Sequence, residues 1–115
     1  MSADSGKVLG LLARAFEHQQ RGQLAEADAL YVDALKLAPD DPTALVNGGV
    51  LALARGDIAL SIARLERGAQ VAPRNAIARD NLALALLHAG RTDDALDASE
   101  AAIALQPQLA TAHNH

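Results

Sequence analysis

Two asparagines, Asn47 and Asn81, are the residues of this sequence best suited to bind another polypeptide, and they lie 34 residues apart. The carboxamide of asparagine offers both a hydrogen-bond acceptor and donors, so it can hold the backbone of an extended peptide without selecting side chains. Asparagine is a poor residue for a helix interior, because its side chain competes for backbone hydrogen bonds. A binding role would explain two of them in equivalent places. The alternative is that they only solvate an apolar helix face.

Adjacent carboxylates are the next candidates for chemistry, but their positions argue against catalysis. The two pairs are Asp40-Asp41 and Asp93-Asp94. We predict both at helix N-termini, where negative charge is favourable without any catalytic role. The sequence also contains no P-loop, dinucleotide-binding fingerprint, Gly-x-Ser-x-Gly elbow or His-Glu-x-x-His run. We therefore expect a chain that is not an enzyme and that has no cofactor.

The four histidines do not form an evident metal site. His113 and His115 make a His-x-His pair close to the last residue, but a structural site needs more ligands than two. His18 and His88 are isolated, and we expect them to pack or to border a groove. The sequence predicts no bound metal.

Composition narrows the class of protein. Half of the residues are apolar, mostly alanine and leucine, and few stretches alternate with a period of two, so helices are expected and strands are not. The net charge of −4 disfavours nucleic acid as a partner. Cysteine is absent, which excludes disulfides and thiolate metal sites. The apolar run from Val8 to Leu12 is too short for a signal peptide or a membrane span, so a cytoplasmic chain without a membrane partner is expected.

The elements that would position the asparagines follow from an internal repeat. Three residue series recur every 34 positions: Gly22, Gly56 and Gly90; Pro39, Pro73 and Pro107; and Ala27, Ser61 and Ala95. A period of 34 is typical of a helix–turn–helix unit in a solenoid. We predict one domain over residues 1–115, with units at 8–41, 42–75 and 76–109. Residues 110–115 would begin a fourth unit.

Each unit is predicted to split at its glycine into two antiparallel helices. The first helices are expected at 7–21, 42–55 and 76–89, and the second at 24–38, 58–72 and 92–106. The predicted N-caps are Ser5, Asp41, Asp57, Asn75 and Thr92. Asn47-Gly48-Gly49 has the composition of a turn, but the period places it inside a helix, which should make the middle unit locally the softest.

These residues resemble the tetratricopeptide repeat. The best-matching unit has Gly22, Ala27, Tyr31, Ala34 and Pro39. The resemblance covers residues 8–109 and implies an all-α, right-handed superhelix of antiparallel helix pairs. It also implies that the first helices line a concave groove that binds peptides or protein segments. Some members carry a ladder of asparagines along that groove, notably the repeats attached to O-linked N-acetylglucosamine transferases. Here the matching residue of the first unit is Ala13, so the ladder has at most two rungs.

The predicted groove combines apolar residues with the two asparagines. Its residues are Leu12, Phe16, Thr43, Val46, Asn47, Val50, Ile77, Asn81, Leu84 and His88. Lysine and arginine are missing from this face, so we expect no clamp for the C-terminal carboxylate of a partner. The apolar stripe has three interpretations: a groove for an apolar or amphipathic segment, residues that belong to the core, or a face for self-association.

The third unit is predicted to end with apolar residues that little covers, since no polar capping helix is evident. These residues are Leu96, Ile103, Leu105 and Leu109. The sequence therefore predicts a protein-interaction scaffold that binds a protein or peptide segment in its groove. Two alternatives stay open: the substrate-recruiting arm of a larger enzyme such as a glycosyltransferase, and a structural repeat that self-assembles through the groove or the C-terminal end.

Overall fold

The computed structural model of the protein describes residues 3–105, and this part consists of six α-helices without a β-strand. The helices are α1 (Ala3–Gln20), α2 (Leu24–Leu37), α3 (Pro42–Ala54), α4 (Ile58–Val71), α5 (Ala76–His88) and α6 (Thr92–Ala104). The predicted all-α solenoid is confirmed. α1 begins four residues earlier than predicted, whereas the other helices begin where the sequence placed them.

Glycine turns end the three first helices, as predicted. Gly22, Gly56 and Gly90 have φ angles of 75°, 80° and 79°, in the left-handed region where glycine carries no Cβ penalty. The residue after each glycine donates its N–H back into the helix, for example Gln23 N to His18 O at 2.9 Å. This six-to-one hydrogen bond closes the helix end and turns the chain back on itself within three residues. Each first helix is thereby followed by an antiparallel partner.

Three of the five predicted N-caps are confirmed. The side chains of Asp41, Asp57 and Asn75 accept hydrogen bonds from backbone N–H groups three residues ahead. Thr92 is not a cap, because α6 begins at Thr92 itself. Arg91 holds the cap position without a side-chain cap, and its guanidinium contacts Asp94 instead. Ser5 is not a cap either, since α1 begins before it.

Small residues bring the two helices of each pair together. Ala27, Ser61 and Ala95 are buried at the same point of the three second helices. In the first helices Ala15, Gly49 and Ala83 are buried where the partner helix crosses. The small side chains of alanine and serine, or none in glycine, let the two helix axes approach closely there, and the surrounding leucines fill the remaining space. The period of 34 residues is thus a period of packing contacts.

The glycine pair in α3 lies inside the helix, as the period predicted. A Cβ on Gly49 would lie 2.6 Å from Leu65 Cγ, which no real contact allows. The backbone carbonyl groups of these glycines also accept hydrogen bonds from α4. Ser61 Oγ donates to Gly49 O at 2.8 Å, and Arg64 Nη1 donates to Gly48 O at 3.0 Å. Gly49 is thus placed where α4 packs directly on the backbone of α3, whereas the nearest atom to a Cβ on Gly48 would lie at 3.4 Å, an ordinary contact distance.

Candidate functional site

The first helices form the inner layer of the solenoid. The backbones of α1 and α3 approach each other, as do those of α3 and α5, whereas within residues 3–105 the backbones of the second helices stay further apart. Helices that are closer on one side of a two-layer array than on the other make the array curve toward the closer side. The exposed faces of α1, α3 and α5 therefore line the concave surface.

Four rows of residues cross this surface, one residue from each first helix in every row. None of the twelve side chains is fully buried, and no lysine, arginine, aspartate or glutamate is among them. We call this set the groove stripe. Its rows, from the helix N-termini to the C-termini, are Leu9, Thr43 and Ile77; Ala13, Asn47 and Asn81; Phe16, Val50 and Leu84; and Gln20, Ala54 and His88.

Two of the ten residues predicted from the sequence do not lie in this stripe. Val46 is only 5% exposed and belongs to the core between α3, α4 and α5. Its methyl group lies 3.0 Å from where a Cβ of Gly68 would stand, so Val46 fills the space that this glycine leaves. Leu12 is half-buried against the core residues of α1 and α2. The prediction was wrong at Val46, which points one helical step away from the concave face, whereas Leu12, as half-buried as Val50, borders the stripe.

The other eight predicted residues lie in the stripe. Phe16 is 54% exposed and Ile77 is 61% exposed, which are large fractions for side chains of this size. Leu84, Thr43 and His88 are also exposed, and Val50 and the two asparagines are half-buried. Whether they bind a ligand is a separate question from where they lie.

The side chain of Asn47 interacts with a tyrosine of the preceding helix pair, which lies beneath the groove. Its side chain hydrogen-bonds the hydroxyl of Tyr31, which is fully buried and donates to Gln19 Oε1 at 3.0 Å. Burial raises the pKa of Tyr31 above its ordinary value of 10.0, and the hydrogen bond from Asn47 opposes that increase. These three polar side chains connect α1, α2 and α3 beneath the groove.

Asn81 is held in a different way. Its Nδ2 donates to the carbonyl oxygen of Ile77, one turn earlier in the same helix, at 2.9 Å. No donor in residues 3–105 occupies its Oδ1, which is the atom left for a ligand. Asn47 and Asn81 therefore stand in one row with their orientations fixed by different partners.

A buried ion pair behind the groove is the contact that sequence reasoning missed. Arg64 of α4 is buried, and its Nη1 lies 2.6 Å from Asp28 Oδ1 in α2. Arg55 approaches the other carboxylate oxygen of Asp28 at 3.5 Å. The side chain of Arg64 passes over Gly48, and a Cβ at this glycine would lie 3.4 Å from the Arg64 guanidinium. The one hint in the sequence is an arginine within the apolar stripe of α4, opposite a glycine pair.

Metal ligation and membrane insertion find no support in the described part of the chain. Residues 3–105 contain no cluster of histidine and carboxylate side chains that could hold a metal ion. No helix in that range is long and apolar enough to cross a membrane. His113 and His115 lie outside the described residues.

The sequence matches the family model of the tetratricopeptide repeat twice, over residues 12–63 and 46–110. The chain belongs to the tetratricopeptide repeat family. No curated protein sequence matches it significantly. This family membership confirms the resemblance drawn from the glycine, proline and small-residue series.

Solved structures agree with this assignment. A mutant O-GlcNAc transferase from Thermobaculum terrenum superimposes with a TM-score of 0.86 at 26% identity, over 93% of this tetratricopeptide-repeat chain and 21% of the transferase chain. The Sgt2 tetratricopeptide-repeat domain from Aspergillus fumigatus gives 0.83 at 25% identity, over 88% and 67%. The first such domain of Spaghetti (RPAP3), bound to an HSP90 peptide, gives 0.86 at 17% identity, over 90% and 82%. The last likeness is one of fold alone.

These similarities describe a protein-interaction module. This tetratricopeptide-repeat chain spans about a fifth of the transferase that it resembles, so the activity of that enzyme does not transfer with the fold. The repeats supply helical surfaces, and the chemistry of binding depends on the residues that line them.

Proposed function

We propose that the protein binds an uncharged, largely apolar peptide segment in its concave groove. The observation that carries this proposal is the groove stripe, in which twelve exposed or half-buried positions include no lysine, arginine or carboxylate. A stripe without fixed charge that exposes Phe16, Ile77 and Leu84 favours apolar side chains, because their burial releases ordered water. The exposed carboxylate of Asp80 borders this stripe beside Asn81.

The amide row gives the groove a way to hold a peptide backbone. Asn47 and Asn81 lie between two apolar rows, so a segment could bond its main chain to the amides while its side chains contact the rows on either side. Because Tyr31 and Ile77 O already orient the two amides, little side-chain entropy is lost when a ligand binds. The HSP90 peptide bound to the Spaghetti domain is acidic. This groove has no cation to match such a peptide.

The test begins with a ligand selected for this surface. Random dodecapeptides displayed on phage are selected on the full chain, and the affinity of the best peptide is measured by calorimetry. The double variant Asn47→Ala with Asn81→Ala should bind about 30-fold more weakly, since two hydrogen bonds of about 1 kcal/mol each are lost. Its circular dichroism at 222 nm should match that of the wild type.

The chain offers a matched control pair. Ile77 in the groove and Ile103 on α6 are each 61% exposed. Ile77→Ala should weaken the selected peptide, whereas Ile103→Ala should leave its affinity unchanged. The proposal fails if selection yields no peptide, or if the peptides obtained respond to Ile103→Ala and not to Ile77→Ala.

A second candidate is a substrate-recruiting arm of a glycosyltransferase. The likeness to the Thermobaculum terrenum transferase favours it, because 93% of this chain superimposes on a part of that enzyme. The groove would then hold a segment of the protein substrate. The reading frame followed past His115 distinguishes the two candidates, since only the arm requires a catalytic domain in the same polypeptide.

A further inference from the structure

The buried ion pair behind the groove lies next to one of the two groove amides. Arg64 Nη1 donates to Asp28 Oδ1 in α2 at 2.6 Å and to Gly48 O in α3 at 3.0 Å. A single nitrogen of α4 therefore joins two other helices. Gly48 directly follows Asn47 in α3, so the guanidinium holds the backbone beside the amide that we propose as a peptide contact.

The contacts around Gly48 form a closed circuit. Asp28 and Tyr31 lie three residues apart in α2, on one face of that helix. Tyr31 hydrogen-bonds the side chain of Asn47. A Cβ on Gly48 would lie 3.4 Å from Arg64 Nη1 and 3.6 Å from Tyr31 Cβ, so both side chains lie against this glycine. α2 thus reaches α3 twice, once directly through Tyr31 and once through Arg64.

The backbone beside Asn47 is supported from outside its own helix. Gly48 and Gly49 follow Asn47, and glycine has the lowest helix propensity of any residue except proline. Both glycine carbonyls accept a side-chain hydrogen bond from α4. Arg64 donates to Gly48 O, and Ser61 Oγ donates to Gly49 O at 2.8 Å. The segment that carries the amide therefore depends on α4 for its order.

The same cluster one period later is apolar. The residues 34 positions after Asp28, Tyr31, Gly48 and Arg64 pack together in one core; they are Ile62, Leu65, Leu82 and Ala98. No glycine follows Asn81, and its amide bonds the carbonyl of Ile77 in its own helix. Asn81 therefore does not rely on a polar contact from the neighbouring second helix.

Stability alone does not account for the ion pair. Burying two charges costs desolvation free energy, and apolar side chains of similar volume in place of a buried ion pair are often neutral or stabilising. The chain itself uses apolar residues at the equivalent positions between the second and third helix pairs, where Ile62 and Ala98 lie. A polar cluster beside the amide that two glycines follow indicates a role in holding that amide.

We propose that Arg64 is a positioning residue for the groove, which holds Asn47 ready for the main chain of a bound peptide. Arg64 is only 7% exposed, so it acts without touching the peptide. It acts through Gly48 O on the backbone of α3 and through Asp28 on the helix that carries Tyr31. This role rests on the proposed peptide binding in the groove, whereas the order of Asn47 is a property of the free chain.

The order of the two amides is measured on the free chain by nuclear magnetic resonance. Three-bond couplings from Asn Cγ to the backbone nitrogen and carbonyl carbon report whether χ1 stays in one rotamer or averages over several. The double variant Asp28→Ile with Arg64→Met, which we call the charge-free variant, removes both charges together, so neither is left buried and unpaired. Its Asn47 couplings should move toward the rotamer average, and those of Asn81 should keep their wild-type values.

A second ion pair between the same helix pairs provides the control. Arg67 Nη2 lies 2.8 Å from Asp40 Oδ1, and both side chains are exposed. Asp40→Ala with Arg67→Met should leave the couplings of Asn47 unchanged. Unchanged couplings in the charge-free variant, or equal disorder in both double variants, would overturn the inference. If circular dichroism shows the charge-free variant unfolded, the milder Asp28→Asn is measured in its place, with the same expected direction.

Affinity for the peptide selected on the wild type connects this order to binding. In the wild type, Asn47→Ala and Asn81→Ala should each weaken binding about fivefold. In the charge-free variant, Asn47→Ala should weaken it by less than about twofold, whereas Asn81→Ala should keep its full effect. An equal loss on Asn47→Ala in both backgrounds would overturn the positioning role. No loss on Asn47→Ala in the wild type would refute the peptide contact of Asn47 itself, and with it any binding role of Arg64, whatever the couplings show.

Discussion

At the scale of single residues, polar contacts between helix pairs set the shape of the site. Arg64 reaches from α4 to Asp28 in α2, although these two helices do not pack on each other. Tyr31 reaches from α2 to Asn47 in the first helix of the next pair. Each contact joins consecutive helix pairs, so both fix how one pair is rotated relative to the next and hence where the groove residues stand.

Tyr31 makes folding stability depend on alkaline pH. The pKa of its hydroxyl is raised in the folded chain, so the neutral form is favoured there. The stabilisation is fully present below the unfolded pKa of about 10 and is lost as the pH rises through the folded pKa, because the unfolded state then binds fewer protons than the folded one. Urea unfolding at pH 8 and pH 11 should show a loss for the wild type that Tyr31→Phe lacks.

The same hydroxyl reports on the groove. Tyr31 is the one tyrosine of the sequence, which has no tryptophan, so absorbance at alkaline pH follows a single group. Asn47→Ala should raise the pKa of Tyr31 further, since the hydrogen bond from Asn47 lowers it. An unchanged titration curve in this variant would show that the two side chains do not interact in solution.

In the urea experiment, the pH dependence of stability is compared between the wild type and Tyr31→Phe. Their absolute stabilities are not compared, because the substitution also removes the hydrogen bond to Gln19.

The sequence could predict which residues repeat but not these contacts. Asn47 and Asn81 were recognisable because the same residue type occurs one period apart. The bonds of Tyr31 and Arg64 depend on the rotation of one helix pair against the next, which no spacing within one unit encodes. Val46 was misplaced for the same reason: one helical step decides between groove and core, and neighbouring helices determine that step.

At the scale of elements, glycines have opposite roles in α1 and α3. Gly49 lies where Leu65 and Ser61 of α4 press on the backbone, whereas a Cβ on Gly10 would have no neighbour within 4 Å. The period places Ala44 and Ala78 at the position of Gly10, and Ala83 at that of Gly49. Helix propensity alone would treat the two glycines alike, so their difference isolates the effect of packing.

Alanine substitution should therefore act in opposite directions. Gly10→Ala should stabilise the chain by about 0.5–1 kcal/mol, because it improves helix propensity in open space. Gly49→Ala should destabilise it by about 1–2 kcal/mol, because the clash with Leu65 outweighs the same gain. Urea denaturation followed at 222 nm measures both free energies of unfolding. In a Leu65→Ala background, Gly49→Ala should become harmless; if it destabilises that background equally, the clash is not the cause.

Helix boundaries were predictable to the extent that local chemistry determines them. The glycine ends and three aspartate or asparagine caps were correct, since each depends on a residue's own hydrogen bonds and φ angle. Thr92 was misassigned because a good capping residue one position too late becomes the first residue of the helix. The period was enough to place Gly48 and Gly49 inside α3. It could not show that α4 packs against the backbone at Gly49.

At the scale of the whole molecule, the outer surface of α1 differs in polarity from the outer surface of α5 and α6. The outer face of α1 carries Arg14 and Glu17, and Glu17 also pairs with Arg21. The outer surface of α5 and α6 exposes Leu87, Leu96 and Ile103. The polar side chains of α1 therefore oppose the stacking of α1 on the α5–α6 surface of another copy.

Replacing the polar residues on the outer surface of α1 by apolar ones should let copies of the chain stack on one another. The triple variant Arg14→Leu, Glu17→Ala and His18→Leu gives α1 the residues with which α5 covers α4. Its α1 should then dock on the exposed α5–α6 surface of another copy, and a head-to-tail contact of this kind generates open chains rather than closed dimers. Light scattering should show a mass that grows with concentration for the variant and a constant monomer mass for the wild type.

A fourth substitution separates stacking from general stickiness of the new leucines. Leu96→Asp in the triple variant should restore the monomer, because it changes the receiving surface and leaves the new α1 face intact. If the quadruple variant still associates, α1 faces are joining each other. If the triple variant stays monomeric, the α5–α6 surface does not accept a helix with the apolar stripe of α5. A wild type that associates by itself would show that Arg14 and Glu17 do not prevent stacking.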